Sequence, residues 1–147
     1  MPSFDRSRLF FPSLGGLYGL LSCISVPLMR ICAGLILARH GWPKIQDPFK
    51  AVGMVEGLGF YPGTLWSPML AGTEFIGGLM LAAGLFTRFA AAGATIVLLV
   101  TVYLHAYLQG KGVGGAELSI LWSTITLYFV AHGGGRYSVD RLLKREI

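Results

Sequence analysis

Residues 17–38 read LYGLLSCISVPLMRICAGLILA, a stretch that is apolar apart from a single basic side chain, Arg30. At about 1.5 Å of rise per residue, a helix of this length crosses a hydrocarbon core of about 30 Å. Three further runs of the same kind follow. Residues 65–86 are interrupted only by Glu74, residues 89–108 contain His105, and residues 116–132 open with Ala116-Glu117. The expected fold is all-α: a four-helix transmembrane bundle forming a single integral membrane domain over residues 1–147, with spans at about 17–38, 65–86, 89–108 and 116–132.

The connections between the spans differ in length. Thr87-Arg88 is a tight turn and residues 109–115 form a short glycine-rich loop, so the spans they join are antiparallel neighbours. The longer outer loop, 39–64, joins the first and second spans. It carries the interface-type aromatics Trp42, Phe60 and Tyr61 and a short interfacial helix within 47–58. Pro27 either kinks the first span or marks where its regular part begins. Gly133-Gly134-Gly135 ends the fourth span, and Ser138 caps a short C-terminal interfacial helix over 139–145. Residues 1–13 read as an interfacial arm. Small residues spaced for close packing recur: Gly77 and Gly84, Gly78 and Ala82, Ser119 and Ser123.

Composition supports the same class. Hydrophobic residues make up 54% and charged residues only 13%, against about 25% charged in a soluble domain. The net charge of +5 comes from basic residues scattered at the ends of apolar runs, with no basic stripe. Anchoring to anionic headgroups accounts for it, and nucleic-acid binding is set aside. Cys23 and Cys32 fall on opposite sides of one helix and cannot bridge, and there is no C-x-x-C, so dithiol redox chemistry is not expected. The apolar run continues past Leu20-Leu21-Ser22-Cys23, which argues against a cleaved lipoprotein signal.

Loop charge sets the orientation. Arg6, Arg8, Arg88, Arg136, Arg141, Lys144 and Arg145 lie on the side of the termini, against Arg39, Lys44, Lys50 and Lys111 on the other. Both termini are therefore expected in the cytoplasm, with the long loop outside.

Ionisable groups inside a membrane face a partner or a cavity. Arg30 and Glu74 each lie about 13 Å below the outer ends of their spans, at equal depth and with opposite sign, so an Arg30–Glu74 ion pair is expected. Such a pair can also merely pin two helices. His105 lies about one turn below the outer end of the third span. Glu117 and His40 sit at outer ends, which makes a funnel-shaped polar site open toward the long loop. A metal held by His40, Glu74, His105 and Glu117 is not expected: the nearby Arg30 would repel a cation and the spacing is no metal motif. No nucleotide-binding loop is present, since residues 112–115 lack the flanking strand and helix.

An ordered set of short motifs carries a family resemblance. It consists of Leu28-Met29-Arg30-Ile31 with Gly34; His40-Gly41-Trp42 and Lys44; Glu74 with Gly77-Gly78-Leu79; Gly84-Leu85-Phe86-Thr87-Arg88; His105; Gly115-Ala116-Glu117; and Gly135-Arg136-Tyr137-Ser138-Val139-Asp140. Over residues 26–143 this set resembles the DoxX family of small bacterial and archaeal membrane proteins. The resemblance implies four membrane helices and a place in the cytoplasmic (inner) membrane. Some relatives are linked to quinone-coupled sulfur oxidation or respiratory oxidase complexes, others to oxidative-stress assemblies with soluble enzymes.

The expected function is thus a membrane subunit of a redox or quinone-linked assembly, an oxidoreductase component with protein partners. Its ligand site comprises Arg30, His40, Lys44, Glu74, His105 and Glu117. Arg30 or His105 would donate to quinone carbonyl oxygens, and Glu74 or Glu117 would accept a proton from a quinol. The chain has no haem, flavin or iron–sulfur ligand set of its own, so redox chemistry needs a partner or the bound quinone. The alternative is a non-enzymatic scaffold, assembly factor or small-solute permease acting as a homo-oligomer.

Overall fold

The computed structural model describes residues 10–143, and among these every regular element is helical. The expected arm over 1–13 falls largely outside the described residues, as do Lys144 and Arg145. A 3-10 turn at Pro12–Leu14 leads into α1 (Gly15–Gln46). Then come α2 (Val52–Gly57) and α3 (Gly63–Gly72), a π-helical turn π1 (Thr73–Gly77), and α4 (Gly78–Ala83). The chain continues through α5 (Thr87–Tyr103), a second π-helical turn π2 (Leu104–Leu108), α6 (Gly112–His132) and α7 (Val139–Leu142).

Three helices among the described residues are long and apolar enough to cross a membrane: Gly15–Gln46, Thr87–Leu108 and Gly112–His132. The expected second span is helix in three consecutive pieces, α3, π1 and α4. Gly72 and Gly78 flank the π turn and Gly77 ends it, and glycine weakens the preference for an α-helix.

α1 runs through Arg39-His40-Gly41-Trp42-Pro43-Lys44, residues expected to begin the loop. Arg39 marks where the apolar surface stops, not where the hydrogen-bond ladder stops. Pro27 and Pro43 both lie inside the helix. Each forgoes one ladder bond, and in a membrane the rest of the ladder has no water to turn to. α6 likewise starts earlier than expected, at Gly112.

Hairpin packing follows from small residues. α1 packs on α4 and π1, and α5 packs on α6. A Cβ on Gly34 would lie 2.4 Å from the Ala82 amide, and one on Gly78 would lie 2.6 Å from the Ala38 amide. Backbone meets backbone at this crossing, the arrangement that dispersion alone can hold in lipid. On the other hairpin Ala91 and Ala94 are fully buried. There Thr95 Oγ1 donates to Thr126 Oγ1 at 2.8 Å. Ala33, Leu81, Ala90, Ala91 and Phe129 form the core where the two hairpins join.

The end of the bundle nearest the chain termini is closed by the C-terminal tail. α4 stops at Gly84, which is left-handed (φ 74°), and Phe86 follows in the same region (φ 45°). The tail returns across this turn. The Arg30 guanidinium donates to the carbonyl oxygens of Gly134 and, at 2.7 Å, Tyr137. Asp140 accepts from the amides of Phe86 (2.7 Å) and Thr87 (2.9 Å) and from the Thr87 hydroxyl (2.6 Å). The Asp140 amide donates to Gly84 O at 2.9 Å. The carboxylate thereby caps α5 from 53 residues away and holds Phe86 in a strained conformation. Ser138 caps α7 as expected, accepting from the Arg141 amide at 3.3 Å.

This arrangement corrects the expected Arg30–Glu74 pair. Because α1 extends to Gln46, Arg30 lies further from its loop end than the sequence reading placed it. It is level with Gly84, whose Cβ would meet the guanidinium, whereas Glu74 is level with Gly41. Arg30 and Gly41 are separated by about 16 Å along α1.

Candidate functional site

At the loop end, a cavity of about 1140 Å³ opens between α1, the α3–π1–α4 run, α5–π2 and α6. Five of the six candidate residues line it: His40, Lys44, Glu74, His105 and Glu117. Arg30 does not; it serves the tail.

The geometry around Glu74 begins with Gly41. A Cβ there would lie 2.4 Å from the Phe75 amide, so only glycine lets π1 lie directly against α1. Lys44 follows three residues later and shares that face. Its Nζ donates to Glu74 Oε1 at 2.6 Å and also to Oε2. Glu74 is 6% exposed, while the Lys44 side chain keeps 29% of its surface open. Glu74 is thus a buried carboxylate whose neutralising partner reaches solvent through the cavity.

Glu74 lies inside π1 and His105 inside π2. A π turn carries extra chain relative to an α turn and re-aims the side chains it holds, and such turns concentrate at functional sites. His40 shares the Lys44 face of α1 at i, i+4. Among the described residues no hydrogen bond or ion pair engages the side chains of His40, His105 or Glu117. They line the cavity with free donor and acceptor capacity. Also among the described residues, no group of three or more His, Cys, Asp or Glu side chains is placed to hold a metal ion.

Away from this polar end the walls are apolar, with Leu37, Met80, Val97, Val100 and Trp122 among them. The α5–π2 wall runs from Phe89 to His105, about 24 Å along the axis and longer than the roughly 15 Å depth of one hydrocarbon leaflet. The cavity is also open sideways. Met69 (51% exposed), Ile76 (54%) and Ile96 (64%) line it and face the outside of the bundle. α2 roofs the loop end through Met54 and Val55. The roof is tied down where Glu56 accepts from the Gly63 amide at 2.9 Å and Ser67 Oγ donates to Pro48 O at 2.6 Å.

The sequence reading placed Lys44 in the cluster without assigning it to Glu74. The available signal was the i, i+4 spacing of His40 and Lys44, which matters only once α1 is known to continue past Arg39. Asp140 was missed as a structural charge, because its partners are remote in sequence.

Comparison with known proteins places these features in a family. The DoxX family profile matches residues 25–106. An uncharacterised protein of Haemophilus influenzae (strain Rd) is 33% identical over 121 residues, covering 76% of this chain and 85% of that protein. The inner membrane protein YqjF of Escherichia coli K12 is 29% identical over 128 residues, covering 86% of this chain and 97% of that protein. No solved structure matches.

Proposed function

The chain belongs to the DoxX family, and from that membership we propose that it is a multi-pass inner-membrane subunit of a redox assembly that binds a quinone in the loop-end cavity. Its bundle crosses the membrane four times, with residues 63–83 as the second crossing and both termini cytoplasmic. The name of the Escherichia coli relative supports the inner membrane, and the loop-charge bias supports the orientation.

One observation carries the reading: a long apolar cavity, open toward the lipid side, with its ionisable groups gathered at one end. A prenylated quinone has that same division, an apolar chain and a small head with two carbonyl oxygens. Lys44 and His105 would donate to those oxygens, and Glu74 and Glu117 would take protons from the quinol form. Oxidation of a quinol releases two protons and two electrons. The carboxylates take up the protons, and the electrons pass to a redox centre in a partner protein. Two carboxylates against one ammonium disfavour a phosphate headgroup at this end.

The test is extraction. Protein purified in mild detergent should release near-stoichiometric quinone by liquid chromatography and mass spectrometry. A hydrogen bond to a charged group is worth about 1.5–3 kcal/mol, so Glu74→Gln and Lys44→Met should each lower quinone content or affinity by about tenfold to a hundredfold. A folded parent protein that carries no quinone and is not stabilised by added ubiquinone or menaquinone would sink the proposal.

A further inference from the structure

A second cavity, of about 420 Å³, lies at the opposite end of the bundle, on the outer side of the tail. Arg136, Tyr137, Ser138 and Arg141 line it, with Ala83 and Leu142. No carboxylate is among its lining residues. Asp140, the neighbour of Arg141, is turned away and engaged with Phe86 and Thr87. The Arg136 guanidinium makes one long contact, to Cys23 Sγ at 3.8 Å. The Arg141 side chain engages nothing among the described residues.

Two guanidinium groups therefore border one small cavity with their charge unspent. The segment that bears them is fixed from below. Arg30 holds the carbonyls of Gly134 and Tyr137, and Asp140 binds the α4–α5 turn. A ligand meeting this cavity does not have to order the chain first, which removes a large part of the usual cost of binding.

We propose that this cavity binds the phosphate of an anionic phospholipid, with Arg136 and Arg141 gripping its oxygens from two sides. The guanidinium fork matches phosphate geometry, and its weak hydration suits a site at the membrane edge. The surroundings fit a lipid better than a soluble phosphate. Tyr137 (60% exposed), Leu142 (81%) and Leu143 (56%) present an aromatic and two aliphatic side chains beside the arginines, the pairing found where protein meets headgroups. The Tyr137 hydroxyl lies 3.8 Å from Cys23 Sγ on α1, so the site abuts a membrane helix. This site is remote from the quinone cavity and does not depend on it.

The test compares the full-length parent in detergent with Arg136→Gln/Arg141→Gln. A second pair, Lys50→Gln/Lys111→Gln, removes the same charge from the loop side. Phosphatidylglycerol binding is read by native mass spectrometry and thermal shift, with phosphatidylcholine and inorganic phosphate as the other probes. From the usual contribution of a basic side chain near an anionic surface, the arginine pair should weaken phosphatidylglycerol binding about thirtyfold. The lysine pair should stay within about twofold of the parent. Equal phosphatidylglycerol binding by parent and arginine variant would overturn the proposal, as would equal loss in both variants or equal binding of phosphatidylcholine. Stabilisation by inorganic phosphate matching that by the lipid would overturn the assignment to a lipid.

Discussion

Asp140 offers the sharpest test of how the tail is held. It is 5% exposed and accepts three hydrogen bonds, from the Phe86 amide, the Thr87 amide and the Thr87 hydroxyl. Asp140→Ala removes every acceptor at once and strands the buried Phe86 and Thr87 amides, at about 2 kcal/mol each. Asp140→Asn is milder. Its carbonyl oxygen can keep the Phe86 amide, and the Thr87 hydroxyl can turn to accept from the new NH₂. Only the Thr87 amide loses its acceptor, a cost of about 2 kcal/mol. A chain of this size shifts by about 2–4 °C per kcal/mol. Scanning fluorimetry in detergent should therefore show Tm falling by about 4–8 °C for Asn and by about 8–16 °C for Ala. Quinone content per folded molecule should not change, because the loop-end cavity is untouched. An Ala variant within about 2 °C of the parent, or an Asn variant as damaged as Ala, would refute the capping argument.

Two further outcomes are expected. Gly34→Ala should lower Tm although alanine is the better helix former by about 1 kcal/mol, because its Cβ would meet Ala82 backbone at 2.4 Å; Gly16→Ala, with nothing within 4 Å, should be neutral or stabilising. Alkaline phosphatase fused within residues 45–60 should be active and a fusion after residue 147 inactive, and the reverse pattern would overturn the orientation.

Helical class and the rough positions of the membrane helices were legible because soluble domains rarely carry apolar runs long enough to span a bilayer. Helix ends were less legible. Arg39 and Pro43 look like stop signals, but the ladder passes through both to Gln46. That shift of the loop end placed Arg30 wrongly in depth and produced the false pairing with Glu74. The gathering of His40, Lys44, Glu74, His105 and Glu117 around one space was foreseeable, since each lies toward the loop end of its helix. The π turns were not: the glycines around Thr73–Gly77 weaken an α-helix without specifying a π turn, and Leu104–Leu108 reads as ordinary helix. Nor was the route of the tail: Arg30 meets Gly134 across 104 residues and Asp140 meets Thr87 across 53, and no local pattern encodes such contacts.

The shape of the loop-end cavity bears on how a ligand would reach it. Away from the loop the cavity reaches Ala33, Met80, Phe89, Ala90 and Thr126. Leu81, Ala91 and Phe129 are fully buried in the adjoining core, and Arg30 with the folded-back tail closes the end of the bundle. The cavity's side, past Met69, Ile76 and Ile96, faces the outer surface of the bundle. A ligand dissolved in the bilayer would meet that opening by lateral diffusion, so its occupancy would follow its concentration in lipid and not in water.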